Sequence, residues 1–164
     1  MTGGTLGYED LNIAPADIHT QMGYGGSVPD DMTVIETEKI VDEIKRWLKA
    51  RYCFFISDGH LDEADSILET MGRKLMLGKV IARQLRGSER YAFFVATAGV
   101  AFEEYQHKLM AAGDMVKVFI ADAVGSVIAE KAADCMEQGL ETLLEPLGWK
   151  HTNRFSPGYC GWDV

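Results

Sequence analysis

The chain has 164 residues, 47% of them hydrophobic and 25% charged, with 25 acidic against 16 basic side chains and a formal net charge of −9. That composition fits one domain-sized globular protein able to bury a core without metal or disulfide staples. The acidic balance opposes binding to a phosphate backbone, and no apolar run approaches the ~20 residues of a bilayer span, so neither nucleic acid nor a membrane is expected as a partner.

The start, MTGGTLGYEDLN, has no basic segment leading into an apolar stretch, so it does not read as a secretory signal and the expected location is cytoplasmic. Residues 1–30 form a loop-rich opening carrying six glycines with Pro15 and Pro29. Within it APADIHTQMG predicts a short helix, with Pro15 in its first turn and Gly23 closing it. After Pro29 the spacing of Val34, Val41, Ile44 and Leu48 predicts a helix to about Ala50, with Glu36, Glu38, Asp42 and Glu43 outside. Lys45, Arg46, Lys49 and Arg51 then fall at its C-terminal end, where the helix dipole favours cations.

RYCFFIS, Arg51 to Ser57, reads as a buried strand, and Asp58-Gly59 as the turn that ends it. HLDEAD, His60 to Asp65, reads as an exposed turn or cap, lacking the spacing of a calcium loop. Lys74 to Leu77 predicts a short strand, followed through Gly78 by a helix KVIARQL ending at Gly87. RYAFFVATAG, Arg90 to Gly99, repeats the aromatic strand signature, and two such strands imply one sheet covered by helices.

VAFEEYQHKLMAAG predicts a helix closed by Gly113, and Asp114 the N-cap of a long one from Met115 to about Leu144, ended by Pro146 and Gly148. Ala121, Gly125 and Ala129 make a smooth stripe on it, for which close packing or a nearby ligand offsets the ~1 kcal/mol that Gly125 costs a helix. One position round, Asp122, Ser126 and Glu130 recur four apart, either as polar groups in a cleft or as a solvated face. WKHTNRF reads as a strand leading into the final segment RFSPGYCGWDV.

That segment carries the chemistry. Arg154 is a planar fork suited to a carboxylate, or else a surface cation. Pro157 stiffens the turn, Gly158 accepts positive φ and leaves room for a ligand to touch the main chain, and Tyr159 either offers its ring to a flat base or cation or packs on the core. Together they outline a loop for a small zwitterion with an aromatic part. Cys53, Cys135 and Cys160 read as reduced thiols, two of them buried, with no CxxC pair. The four histidines show no HxxxH or HExxH spacing, GYGGS lacks the strand and GK[ST] of a phosphate loop, and no GxSxG elbow is present.

RFSPGY resembles the RPAPGY loop of the activation domain of cobalamin-dependent methionine synthase. FFVATAG looks like the strand and turn of stand-alone members, and KVFIADAVGSVIAE like their long helix, with its AD pair and a Glu eight residues after the Asp. DIHTQMGYGGSVPDD is similar to their opening segment, so the likeness covers nearly the whole chain as a single domain, 1–164. It implies an α+β fold with an antiparallel or mixed sheet flanked by helices, binding S-adenosylmethionine in a shallow groove. It also implies a role in methionine biosynthesis, as a component of a methyltransferase rather than an independent enzyme. The partners would be a corrinoid-binding protein or methionine synthase modules, carrying the cobalamin, and a reduced flavoprotein.

By that resemblance Arg154 pairs with the methionine carboxylate, Pro157 and Gly158 shape the loop against the ligand, and Tyr159 lies beside the adenosyl group. Asp122, Ser126 and Glu130 supply the helix side, Ser126 standing where the full-length enzymes have a Glu, so that this carboxylate contact is either lost or taken over by Glu130. The family pattern continues past this loop with further strand and helix, so a C-terminal segment of the groove is expected to be missing at Val164. A different class of function follows from the same departures: a non-catalytic partner of a corrinoid protein that has lost the ligand. A methyltransferase acting alone is disfavoured, because no strand leads into a GxGxG turn.

Overall fold

A computed structural model describes residues 1–163. The elements in chain order are β1 (Thr2–Leu6), α1 (Pro15–Gln21), α2 (Asp31–Ile44), β2 (Ala50–Asp62), β3 (Ile67–Thr70), β4 (Arg73–Met76), α3 (Gly78–Gln84), β5 (Arg90–Thr97), α4 (Val100–Ala112) and α5 (Met115–Leu144), with short 3-10 turns at Tyr8–Leu11 and Glu145–Leu147. The class is α+β, with a five-stranded antiparallel sheet in which β1, β2, β3 and β4 follow one another and β5 also pairs with β2. In the β2–β3 ladder Gly59 faces Thr70 and Asp62 faces Ile67; in β3–β4 Ile67 faces Met76 and Thr70 faces Arg73. No helix among the described residues is long and apolar enough to cross a membrane.

The chain divides into two compact units, one of Thr2–Cys53 with Phe94–Gly139, the other of Phe54–Phe93 with Leu140–Val164. The first has a core drawn from α1, α2, α4 and α5, including Ile18, Ile44, Ile120, Val124 and Ile128. Trp47, Phe102 and Tyr105 pack as tilted rings within it, at centroid separations of 5.4–6.5 Å. Two of its helices start on side-chain caps: Asp114 Oδ1 accepts from the Lys117 amide, the cap expected from the sequence, and Asp30 Oδ1 accepts from the Thr33 amide at the start of α2. Gly113, in the left-handed region at φ 75°, closes α4.

The second unit centres on Leu68, Leu77, Ile81 and Tyr91, with Leu61, Leu75, Leu85, Phe93, Phe155 and Trp162 partly buried against them. Phe55 and Phe93 stack at 5.4 Å.

Several elements differ from the sequence reading. Helix α2 ends at Ile44, not near Ala50, because the amides of Arg46 and Trp47 bond three residues back, to Glu43 and Ile44, in a tightened turn. Lys45 is its C-cap and Arg46, Lys49 and Arg51 lie beyond it, so the last turn holds no cation. Strand β2 does not turn at Asp58-Gly59 but runs to Asp62, and only Ala50 and Phe54 along it are buried. Gly59 is there for space: a Cβ would stand 2.9 Å from the Tyr91 ring. The turn comes later, where Asp62 Oδ1 accepts from the amides of Ala64 and Asp65, leaving His60 to Asp62 of the expected exposed turn in the strand. Strand β3, only four residues long with its two apolar residues adjacent, gave no periodic signal.

Candidate functional site

The predicted strand WKHTNRF is not a strand: residues 149–156 carry no ladder. Side chains here take up local backbone groups instead. His151 Nδ1 lies 2.8 Å from the Thr152 carbonyl, and the Thr152 hydroxyl donates to the Asn153 carbonyl at 3.0 Å. Two contacts tie the segment down. The Arg90 guanidinium lies 4.9 Å from the Trp149 ring centroid while its Nε donates to Asp58 at 2.9 Å, and His151 Nε2 sits 3.1 Å from Glu141 Oε1.

From Phe155 to Trp162 the chain makes a closed bracket. Phe155 and Trp162 both pack against the Leu68–Leu77–Ile81–Tyr91 cluster. Between them the Gly158 amide donates to the Trp162 carbonyl at 2.7 Å, the Trp162 amide to Tyr159 at 3.0 Å and the Tyr159 amide to Ser156 at 3.3 Å. Gly158 (φ 89°), Cys160 (φ 54°) and Gly161 (φ 79°) occupy the left-handed side that so tight a bracket demands. Gly161 presses against Gly78 so closely that a Cβ on Gly78 would overlap its carbonyl.

This bracket presents the sequence-predicted residues. Pro157 and Gly158 are exposed, Arg154 is half-buried at its root, and Tyr159 is 70% exposed at its tip. Tyr159 therefore does not pack on the core; Phe155 and Trp162 do. Sequence reasoning missed those two anchors and Gly78, although the pair of aromatics seven residues apart, bracketing the Pro-Gly turn, was a usable signal.

Asp122, Ser126 and Glu130 belong to α5 in the other unit. Asp122 and Glu130 are exposed and Ser126 is half-buried. The small stripe beside them is explained by packing: the ring of Phe102 fills the space that a Cβ on Gly125 would need, and Ala121 is fully buried. Of the thiols, Cys160 is exposed while Cys53 and Cys135 are half-buried rather than buried. Burial raises the pKa of Cys135, whose Sγ contacts the Asp10 carbonyl at 3.7 Å, so it is a poor nucleophile. Among the described residues no group of three His, Cys, Asp or Glu is arranged to hold a metal ion.

No protein-family model matches the chain, and no curated protein does.

Proposed function

We propose that the protein binds S-adenosylmethionine through the Phe155–Trp162 bracket and offers its methyl group for the reductive remethylation of a cobalamin-dependent methyltransferase of the methionine synthase type. What carries the reading is one observation: a loop anchored at both ends by Phe155 and Trp162 holds Gly158 main chain and the Tyr159 ring outward, four to five residues from a half-buried Arg154. A guanidinium holds a carboxylate by two parallel charge-assisted hydrogen bonds. A tyrosine ring face attracts a flat base or a sulfonium cation, worth ~1 kcal/mol at an exposed site. Gly158, lacking a Cβ, leaves its backbone open to close approach.

On this reading the partner's corrinoid, reduced by a flavoprotein, supplies the methyl-accepting chemistry. The residues named here hold and orient the donor, which converts a collision of two solutes into a positioned encounter. None of them forms or breaks a bond in the methyl transfer, so the protein acts as a component of the methyltransferase. Titration calorimetry tests the proposal: the wild type should give a saturable heat with S-adenosylmethionine that Arg154→Ala removes. No heat from the wild type, or the same heat from Arg154→Ala, rules it out.

The outward exposure of Asp122 and Glu130, with Ser126 between them, favours a second reading, a corrinoid-protein partner that works without the ligand. Co-purification with a cobalamin-binding protein, unchanged by added S-adenosylmethionine, would support that reading over the first.

A further inference from the structure

Helix α5 leaves one face open over its first four turns. At 3.6 residues per turn, Met115, Phe119, Asp122, Ser126 and Glu130 fall within a strip about 80° wide. Met115 is 70% and Phe119 54% exposed, Asp122 and Glu130 are exposed, and Ser126 is half-buried. Beside the apolar end of the strip, the first turns of α2 and α5 enclose an open groove of about 240 Å³ lined by Met32, Thr33, Glu36, Asp114, Val116 and Lys117. Met32 is 72% and Val116 63% exposed. Four large apolar side chains thus stand in water within one unit, where scattered exposure would need no explanation but a contiguous patch does.

The charge around this patch selects what covers it. Its cations are already paired: Lys117 Nζ lies 3.1 Å from Asp114 and 3.6 Å from Glu36, and Lys39 lies 3.2 Å from Glu36. Asp31, Asp122 and Glu130 add exposed carboxylates along the same two helices. A second copy of this chain would set like charges against each other along the strip, a costly arrangement for an interface. A helix with apolar anchors at i, i+3, i+4 and i+7, flanked by Lys and Arg, meets both demands: the anchors enter between Met32, Val116 and Phe119, and the cations face Asp122 and Glu130. Methionines suit such a surface because their unbranched chains repack around different anchors.

We infer that the face formed by Met115, Phe119, Asp122 and Glu130 of α5 together with the Met32–Val116 groove is a docking site for a basic amphipathic helix of a partner protein. The site lies wholly in the first unit and does not depend on ligand binding at the Phe155–Trp162 bracket.

The test uses the full chain, isotope-labelled, and a synthetic Leu/Lys helical peptide with leucines at helical spacing, beside a scrambled peptide of identical composition. The helical peptide should shift backbone amide signals of residues 32–36 and 115–122. Met115→Ser with Phe119→Ser should weaken it about tenfold or more, since exposed anchors at the centre of a patch carry most of the affinity. The same pair should leave Tm unchanged, both side chains being more than half exposed. Asp122→Asn with Glu130→Gln should weaken binding and flatten its salt dependence. The inference is overturned if the shifts map elsewhere, if the scrambled peptide binds this face equally well, if the double serine variant binds unchanged, or if the wild type self-associates through Phe119.

Discussion

The ring of Phe102 lies on the Cα of Gly125: a Cβ at residue 125 would overlap Cε1 and stand 2.9 Å from Cζ. Phe102 is 2% exposed and is packed against Trp47 and Tyr105, so it has little room to withdraw. Gly125→Ala gains up to ~1 kcal/mol of helix propensity. Overpacking a full core costs typically ~1–3 kcal/mol. The net expectation is destabilisation, read as a lower midpoint in chemical denaturation. Phe102→Leu in the same chain should reverse part of the loss. A Gly125→Ala protein more stable than wild type would show that the ring yields.

The bracket separates structure from presentation. Trp162→Ala removes one of its two anchors and should cost about 1–2 kcal/mol, less than the ~3–5 of a fully buried aromatic because Trp162 is only half-buried. It should also speed hydrogen exchange at the Gly158 and Trp162 amides, whose bonds close the bracket. Tyr159→Ala, at a 70% exposed position, should change stability by no more than about 0.5 kcal/mol. Equal losses from the two variants would contradict the anchoring described here.

Gly78 and Gly87 both have positive φ, 73° and 76°, and they differ in what surrounds them. Nothing lies within 4 Å of a Cβ on Gly87, whereas one on Gly78 meets the Gly161 carbonyl. Gly87→Ala should cost only the left-handed conformation, about 1–2 kcal/mol. Gly78→Ala should cost more and displace the bracket, seen as a change in Trp162 fluorescence. Identical denaturation midpoints for the two variants would remove the close approach as a cause.

Tyr105 sits in the first unit's core with its hydroxyl 3.4 Å from Glu43. Burial first, and the Glu43 carboxylate second, push its pKa from 10.0 up to about 12. The folded value lies above the unfolded one, so the stability this group contributes is fully present below pH 10 and lost as pH rises from 10 toward 12, where the unfolded chain has already released the proton. Ultraviolet titration should show a phenolate step near pH 12 that is missing in Tyr105→Phe. In Glu43→Gln that step should move to lower pH. A Tyr105 step near pH 10 in the wild type would count against the burial.

How far the sequence reached depended on whether a signal was local. The starts of α1 and α5 were readable, because Pro15 and Asp114 act within one turn of themselves, and Gly113 closes α4 through its own φ. The Arg154, Pro157, Gly158 and Tyr159 segment was legible as a rigid turn for the same reason. The end of α2 was not: Ile44 and Leu48 keep helical spacing, yet both are buried and the chain tightens between them without a glycine to announce it.

Composition, charge and a sheet covered by helices were determined by the sequence alone, since propensity, capping and hydrophobic period are properties of short windows. Only the tertiary structure decided why Gly59 and Gly125 are glycines, because the Tyr91 and Phe102 rings that exclude a Cβ come from distant parts of the chain. It also decided which aromatics hold the last loop and which face water. Phe155, Tyr159 and Trp162 carry rings of similar apolar character, and what separates them is whether the Leu68–Leu77–Ile81–Tyr91 cluster stands beneath each one.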